Sequence, residues 1–161
     1  FFETGLGILS ETKLISLASP NQPLLRKILT EAPGTYHHSI MVANLSETAC
    51  EAIGANGLLA RVGAYYHDIG KTIQTQYFIE NQIAIKNPHD QIDPRKSAEI
   101  ILRHPKDGAN MLKKHRFPKE IIDIALEHHG KTLLKYFYYK EKETNEHVSK
   151  DIYRYPGPKP Q

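Results

Sequence analysis

The stretch Ala60-Arg61-Val62-Gly63-Ala64-Tyr65-Tyr66-His67-Asp68-Ile69-Gly70-Lys71 decides how this chain is read. With Leu58 and Leu59 ahead of it, the apolar spacing predicts a helix over 57–68 that turns Leu58, Leu59 and Val62 inward. His67 continues the line of Leu59 and Gly63. An apolar stripe therefore ends in an imidazole, and a carboxylate follows at once.

The same ending recurs along the chain. Asp93-Pro94 is a helix start, with an N-cap followed by proline at the first helical position. That helix carries Ala98, Ile101 and Leu102 and ends at His104; Pro105 is expected to open a further helix to about 115. Pro118 is expected to start a helix to 129, where His128 and His129 continue the lines of Ile121/Ile124 and Ile122/Ala125. Residues 35–53 predict a long helix with Met41, Val42, Leu45 and Ala49 on its apolar face, Gly54 at its C-terminal end and His38 on the same face; His37 falls toward solvent. Shorter helices are expected at 22–32, capped by Asn21, and over 131–143, with a polar loop at 82–93. Alternating strand patterns are scarce, so the expected fold class is all-α, a compact multi-helix bundle.

Composition agrees with one folded domain. The 161 residues are 40% hydrophobic and 24% charged, and no apolar run approaches the roughly 18 residues of a membrane span. Cys50 is the single cysteine, which excludes an intramolecular disulfide and a cysteine-rich zinc site and fits a reducing compartment. Charge is uneven: residues 1–60 carry a net −2 and residues 61–161 a net +5, with 95–119 the most basic stretch. The long electropositive tracts of DNA binders are absent, so no nucleic-acid partner is expected. The organisation expected is a lead-in at 1–20, one domain at 21–143, and a polar, proline-rich tail at 144–161.

Five imidazoles and one carboxyl sit at the ends of inward stripes on four helices. Each alone is ordinary, since a lone histidine on an apolar face is usually a hydrogen-bonded core residue. Together they would cost several kcal/mol if buried without partners, at about 1–3 kcal/mol per unsatisfied group. A metal resolves this, because neutral imidazole and carboxylate are its ligands. Six ligands exceed a single catalytic zinc site and suit two octahedral ions.

At this point the chain resembles the HD phosphohydrolase superfamily. His38, His67-Asp68, His104 and His128-His129 match its binuclear members. Ala32-Pro33-Gly34-Thr35-Tyr36-His37-His38-Ser39, the run from Ala60 to Tyr66, the loop Tyr77-Phe78-Ile79-Glu80-Asn81-Gln82, Asn87-Pro88-His89-Asp90 and the tail Arg154-Tyr155-Pro156-Gly157-Pro158-Lys159-Pro160-Gln161 are similar to the cytoplasmic HD domain of seven-transmembrane HD receptors. Those are cyclic di-AMP phosphodiesterases. A Gly-Tyr-Pro element, the mark of the cyclic di-GMP branch, does not follow His128-His129.

The resemblance implies an HD-domain bundle around two divalent transition-metal ions, iron or manganese. One would be held by His38, His67 and Asp68, the other by Asp68, His104, His128 and His129. It implies hydrolysis of cyclic di-AMP to linear pApA by a metal-bound hydroxide, with Asp68 and Lys71 as catalytic residues. Tyr36, Lys71 and Tyr77 are candidate substrate contacts, and Tyr65 and Tyr66 are further aromatic surfaces for a base. It implies a cytoplasmic domain of a membrane-anchored bacterial parent, with self-association open. It also implies that the family's C-terminal helices, with one more aspartate ligand, are absent from these residues; Asp123 faces away by helical phase and Asp151 sits in a tail. The competing readings are an HD phosphohydrolase for cyclic di-GMP, guanosine tetraphosphate or a deoxynucleotide, a non-catalytic nucleotide-sensing domain, and a nucleic-acid-binding module carried by 95–119.

Overall fold

A computed structural model describes residues 9–160. The lead-in at 1–20 thus falls partly outside the described residues, as does Gln161. Its described part is no mere lead-in: Ser10 accepts from the Lys13 amide and starts α1 (Glu11–Leu17), whose Leu14 and Leu17 enter the main core. The helix α2 (Pro23–Glu31) is capped by Gln22 rather than Asn21. The Gln22 side-chain oxygen accepts from the Leu24 and Leu25 amides at 2.6 and 3.3 Å.

The next pair, α3 (Pro33–Ala52) and α4 (Gly57–Tyr66), packs side by side. Here the expected apolar face of α3 is corrected. Met41, Leu45 and Ala49 are exposed, and the buried residues are Thr35, Ser39 and Ala43, one every fourth position. Small side chains line the contact because the bulk comes from the partner, whose Val62, Ala64, Tyr65 and Tyr66 are buried. Gly54 takes the positive φ of 72° that ends α3. Tyr66 donates its hydroxyl to the Leu17 carbonyl, tying α4 to α1.

After α4 the chain makes three short 3-10 turns, Ile69–Ile73, Thr75–Tyr77 and Ile79–Asn81, and a fourth at Pro88–Gln91. Asp93 caps α5 (Pro94–Lys114), accepting from the Arg95 amide at 2.7 Å. The two helices expected on either side of Pro105 are one. A proline inside a helix is disfavoured because it withholds an amide and its ring crowds the carbonyl four residues back, yet the apolar stripe carries the helix through it: Ala98, Ile100, His104, Ala109 and Leu112 are all buried. Then come α6 (Lys119–Glu127) and α7 (Lys135–Lys142), the latter shorter than the 131–143 pattern because Leu133 pairs with Arg154 in an isolated bridge. No β-strand is found among the described residues, and the fold is all-α.

The tail is packed. Val148 and Tyr153 join Ala98, Phe137 and Tyr138 in a second core cluster. Backbone bonds from Leu134 to Tyr153 (2.8 Å) and from Tyr155 to Thr132 (3.0 Å) clasp the segment against the chain that leads into α7. Its polar composition hides aromatic anchors. Glu141 of α7 accepts from Arg95 Nε (2.7 Å) and from the Tyr153 hydroxyl, joining α5, α7 and the tail. Hydrogen bonding from Arg95, aided by Tyr153, holds the Glu141 carboxyl below its ordinary 4.5. Its folded pKa is depressed, so its stabilisation is present above about pH 4.5 and is lost as pH falls through the lower folded value. Glu141→Gln is expected to be less stable than the parent at pH 7, with the gap narrowing as pH falls below about 4.5, read as urea midpoints across that range.

Candidate metal centre

Asp68 is the hinge of the site. It follows the last turn of α4, is 2% exposed, and faces histidines carried by α3, α5 and α6. Its Oδ2 lies 2.8 Å from Lys71 Nζ, 3.2 Å from His67 Nε2 and 3.9 Å from His38 Nε2. Its Oδ1 lies 3.1 Å from His104 Nε2 and 3.5 Å from His128 Nε2. Two donor groups result, each with ligand atoms within 4.8 Å of one another: His38, His67 and Asp68 in one, Asp68, His104, His128 and His129 in the other. Asp68 belongs to both. The structure thus brings together all six residues singled out from the sequence, although His38 arrives from a half-exposed position on α3 and not from the core.

Ring orientation shows what these side chains can do. Nδ1 of His67, His104 and His128 sits 2.7, 2.7 and 2.9 Å from the carbonyls of Ala64, Ile101 and Ala125. A carbonyl only accepts, so each Nδ1 carries a proton, and each ring in its neutral form presents a bare Nε2 to Asp68. Nε2 of His104 and His128 are 3.3 Å apart, and Asp68 Oδ1 between them has no hydrogen-bond partner although it is buried. Three lone pairs converging on one point repel unless a cation sits among them. The donor set therefore fits divalent metal.

Electrostatics favours the neutral ring at His38, His104 and His129 and opposes it at His67. Burial raises the proton affinity of Asp68, but the summed attraction of His67, His104 and His128 outweighs it and holds the carboxyl well below the usual range. Burial lowers His104, and burial with the adjacent His128 and His104 lowers His129 to about 3. Burial also lowers His38. For His67, burial is outweighed by Asp68, so its affinity is raised. Burial would lower Lys71 too, but Asp68 and Glu80 raise it and keep the ammonium charged.

Several neighbours were not legible as site residues. Tyr155, from the tail, stacks on the His129 ring at 4.1 Å and 13° and is 7% exposed. Phe78 meets His104 edge-on at 5.6 Å. Glu80 Oε1 takes Lys71 Nζ at 2.7 Å and the Thr35 hydroxyl at 3.2 Å, while Asn81 Oδ1 accepts from the Thr35 amide at 3.0 Å. The turn 79–81 is therefore pinned on the first turn of α3, where a Cβ on Gly34 would lie 1.8 Å from the Glu80 carbonyl oxygen. Only a residue without a side chain permits that approach. The signal in the sequence was the Tyr77–Gln82 loop itself, but no periodicity says where a loop lands.

Of the candidate substrate contacts, Tyr77 packs on His89 at 5.2 Å and lines a cavity of about 490 Å³ with Phe78, Glu80, Asn87 and Phe137. Tyr36 is partly buried against the main core, and Tyr65 and Tyr66 lie within it. His37 is exposed, as expected. Asp123 pairs with Lys119, and Asp151 is exposed beside Arg154; neither joins the donor groups.

Comparison with known proteins follows this geometry. The chain is 67% identical over 161 residues to the Bacillus subtilis cyclic-di-AMP phosphodiesterase PgpH, covering all of this chain and 23% of that protein. It is 61% identical over 160 residues to the Listeria monocytogenes protein of the same name, covering 99% of this chain and 22% of that one. The chain thus spans less than a quarter of the length of these curated relatives. The crystal structure of the L. monocytogenes phosphodiesterase PgpH HD domain in complex with cyclic-di-AMP superposes with a TM-score of 0.86 at 63% identity, over 89% of this chain and 67% of that one. The model of the HD domain matches residues 35–154, from the buried threonine on the first turn of α3 to the clasp of the tail. That span holds every residue drawn together around Asp68, and the chain belongs to the HD domain family.

Proposed function

We propose that this domain hydrolyses cyclic di-AMP to linear pApA as the cytosolic part of a membrane-anchored parent, using two divalent transition-metal ions, iron or manganese. The observation that carries the reading is the membership of Asp68 in both donor groups. Support for the substrate comes from relatives named for that activity at 67% and 61% identity. No helix of the described residues is long and apolar enough to cross a membrane, so the anchor is assigned to the parent.

His38, His67 and Asp68 would hold one ion, and Asp68, His104, His128 and His129 the other. Ions so held would supply Lewis acidity to the phosphate ester and acidity to a water. The protein's own groups do the rest. The three Nδ1–carbonyl bonds hold the imidazoles against rotation. Tyr155 covers the outer face of His129 and excludes water there. Lys71, kept charged and held between Asp68 and Glu80, carries its ammonium to the edge of the site, where it neutralises negative charge growing on the phosphate. Tyr77 and Phe78 offer aromatic edges beside it for a base.

The test is turnover. Under reducing conditions with Mn²⁺ or Fe²⁺, the protein is incubated with cyclic di-AMP, cyclic di-GMP and guanosine tetraphosphate, and products are separated by HPLC. Formation of pApA from the first is the expected result; selective cleavage of another nucleotide, or bound metal without turnover of any, would replace the proposal. Lys71→Met is expected to lower kcat by about 10²-fold, the usual loss for one electrostatic contact to the reacting group, while bound metal per chain stays at the parent value.

A further inference from the structure

A carbonyl within the helix ladder already accepts one amide, so a side chain bonds it most strongly where the ladder leaves it free. His67 and His128 meet this condition simply, because they are the C-cap residues of α4 and α6, and carbonyls of a last turn have no amide four residues on. His104 does not. It lies midway along α5, which continues ten residues further to Lys114. There the carbonyl three residues back, Ile101, is ordinarily taken by the amide of residue 105. Residue 105 is proline and has no N–H.

We propose that Pro105 is a positioning residue for the metal centre: by withholding its amide it leaves the Ile101 carbonyl to His104 Nδ1, which fixes the ring as the Nδ1–H tautomer and aims bare Nε2 at Asp68 Oδ1. The proline gives a mid-helix histidine the hydrogen-bonding environment of a helix end. The geometry agrees at both nitrogens, 2.7 Å from Nδ1 to Ile101 O and 3.1 Å from Nε2 to Asp68 Oδ1. The inference rests on the reading of His104 as a metal ligand, but the tautomer itself is a property of the metal-stripped protein.

The experiment is Pro105→Ala, which restores the amide and sets two donors competing for one carbonyl. In protein labelled with ¹⁵N-histidine and stripped of metal, long-range ¹H–¹⁵N spectra are expected to show His104 as Nδ1–H in the parent and to gain Nε2–H population in the variant. The ring signals of His67 and His128 stay in place. Mn²⁺ affinity, from competition with a chelating dye, is expected to fall at least tenfold, the usual effect of removing a partner behind a metal-bound histidine. The thermal midpoint of the metal-stripped variant is not expected to fall, since alanine is the better helix former. A role limited to helix shape would instead move the midpoint and leave the tautomer alone. Pro105→Gly restores the same amide with no side chain and is expected to repeat both changes, which separates amide competition from packing. An unaltered His104 tautomer, or Mn²⁺ affinity within twofold of the parent in both variants, overturns the proposal. A parent that binds no Mn²⁺ would remove the ligand reading, while the spectra would still decide what the proline does to His104.

Discussion

On the function proposed above, Asp68→Ala is expected to leave a folded protein that retains no more than one weakly held ion and hydrolyses cyclic di-AMP at least about 10³-fold more slowly. The size follows from geometry. Both oxygens of this carboxyl face imidazole nitrogens, Oδ2 toward His67 and His38, Oδ1 toward His104 and His128. One substitution therefore removes a ligand from each group. A rate loss of 10³-fold corresponds to about 4 kcal/mol of transition-state stabilisation, within the several kcal/mol that metal charge supplies to a phosphoryl centre. The fold is expected to tolerate the change. A buried carboxylate with one unpartnered oxygen is removed, and Lys71 keeps Glu80 at 2.7 Å. Asp68→Asn should behave alike, because it keeps the size and loses the charge. The measurements are metal content after dialysis, pApA formation, and circular dichroism melting. A variant that keeps two ions and turns over within tenfold of the parent would show that Asp68 is not shared.

Gly70→Ala is expected to have the largest effect on stability, at least about 4 kcal/mol, in the range reserved for severe overpacking. A Cβ there would lie 2.0 Å from the His104 carbonyl oxygen and 2.6 Å from the Gly108 amide nitrogen. Both are backbone atoms of α5 and cannot swing aside. Either the turn 69–73 lifts from α5 or α5 tilts, and each displaces His104 relative to Asp68. For a chain of this size the midpoint should drop by roughly 10 °C, with metal affinity falling alongside. Gly54→Ala is the control. A Cβ there meets nothing within 4 Å, and only the positive φ of 72° opposes it, at about 1–2 kcal/mol. Equal losses at the two positions would mean that the close approach of the 69–73 turn to α5 carries no special weight.

The residues around Asp68 were legible because a polar group ending an apolar stripe stands out wherever the stripe is built of large side chains, as at His67, His104 and His128. On α3 the same reasoning picked the wrong face. Met41 and Leu45 dominate the pattern, yet the contact is made by Thr35, Ser39 and Ala43, whose value lies in being small. His38 was found, but for a reason the packing does not support. Pro105 was read as a boundary because proline is commonest at helix starts; the covalent pattern of α5 simply runs through it. Tyr155 and Glu80 stood inside stretches the sequence singled out, but their roles were not legible, since each reaches the site through a chain reversal that is set by tertiary contacts and not by local spacing.

The stacking of Tyr155 on His129 gives the domain an order of birth. During translation His129 leaves the ribosome well before its aromatic cover, so the nascent bundle first displays an open rim of imidazoles. Only when residue 155 emerges and the clasp at Thr132 closes does an aromatic ring cover the outermost of them, His129.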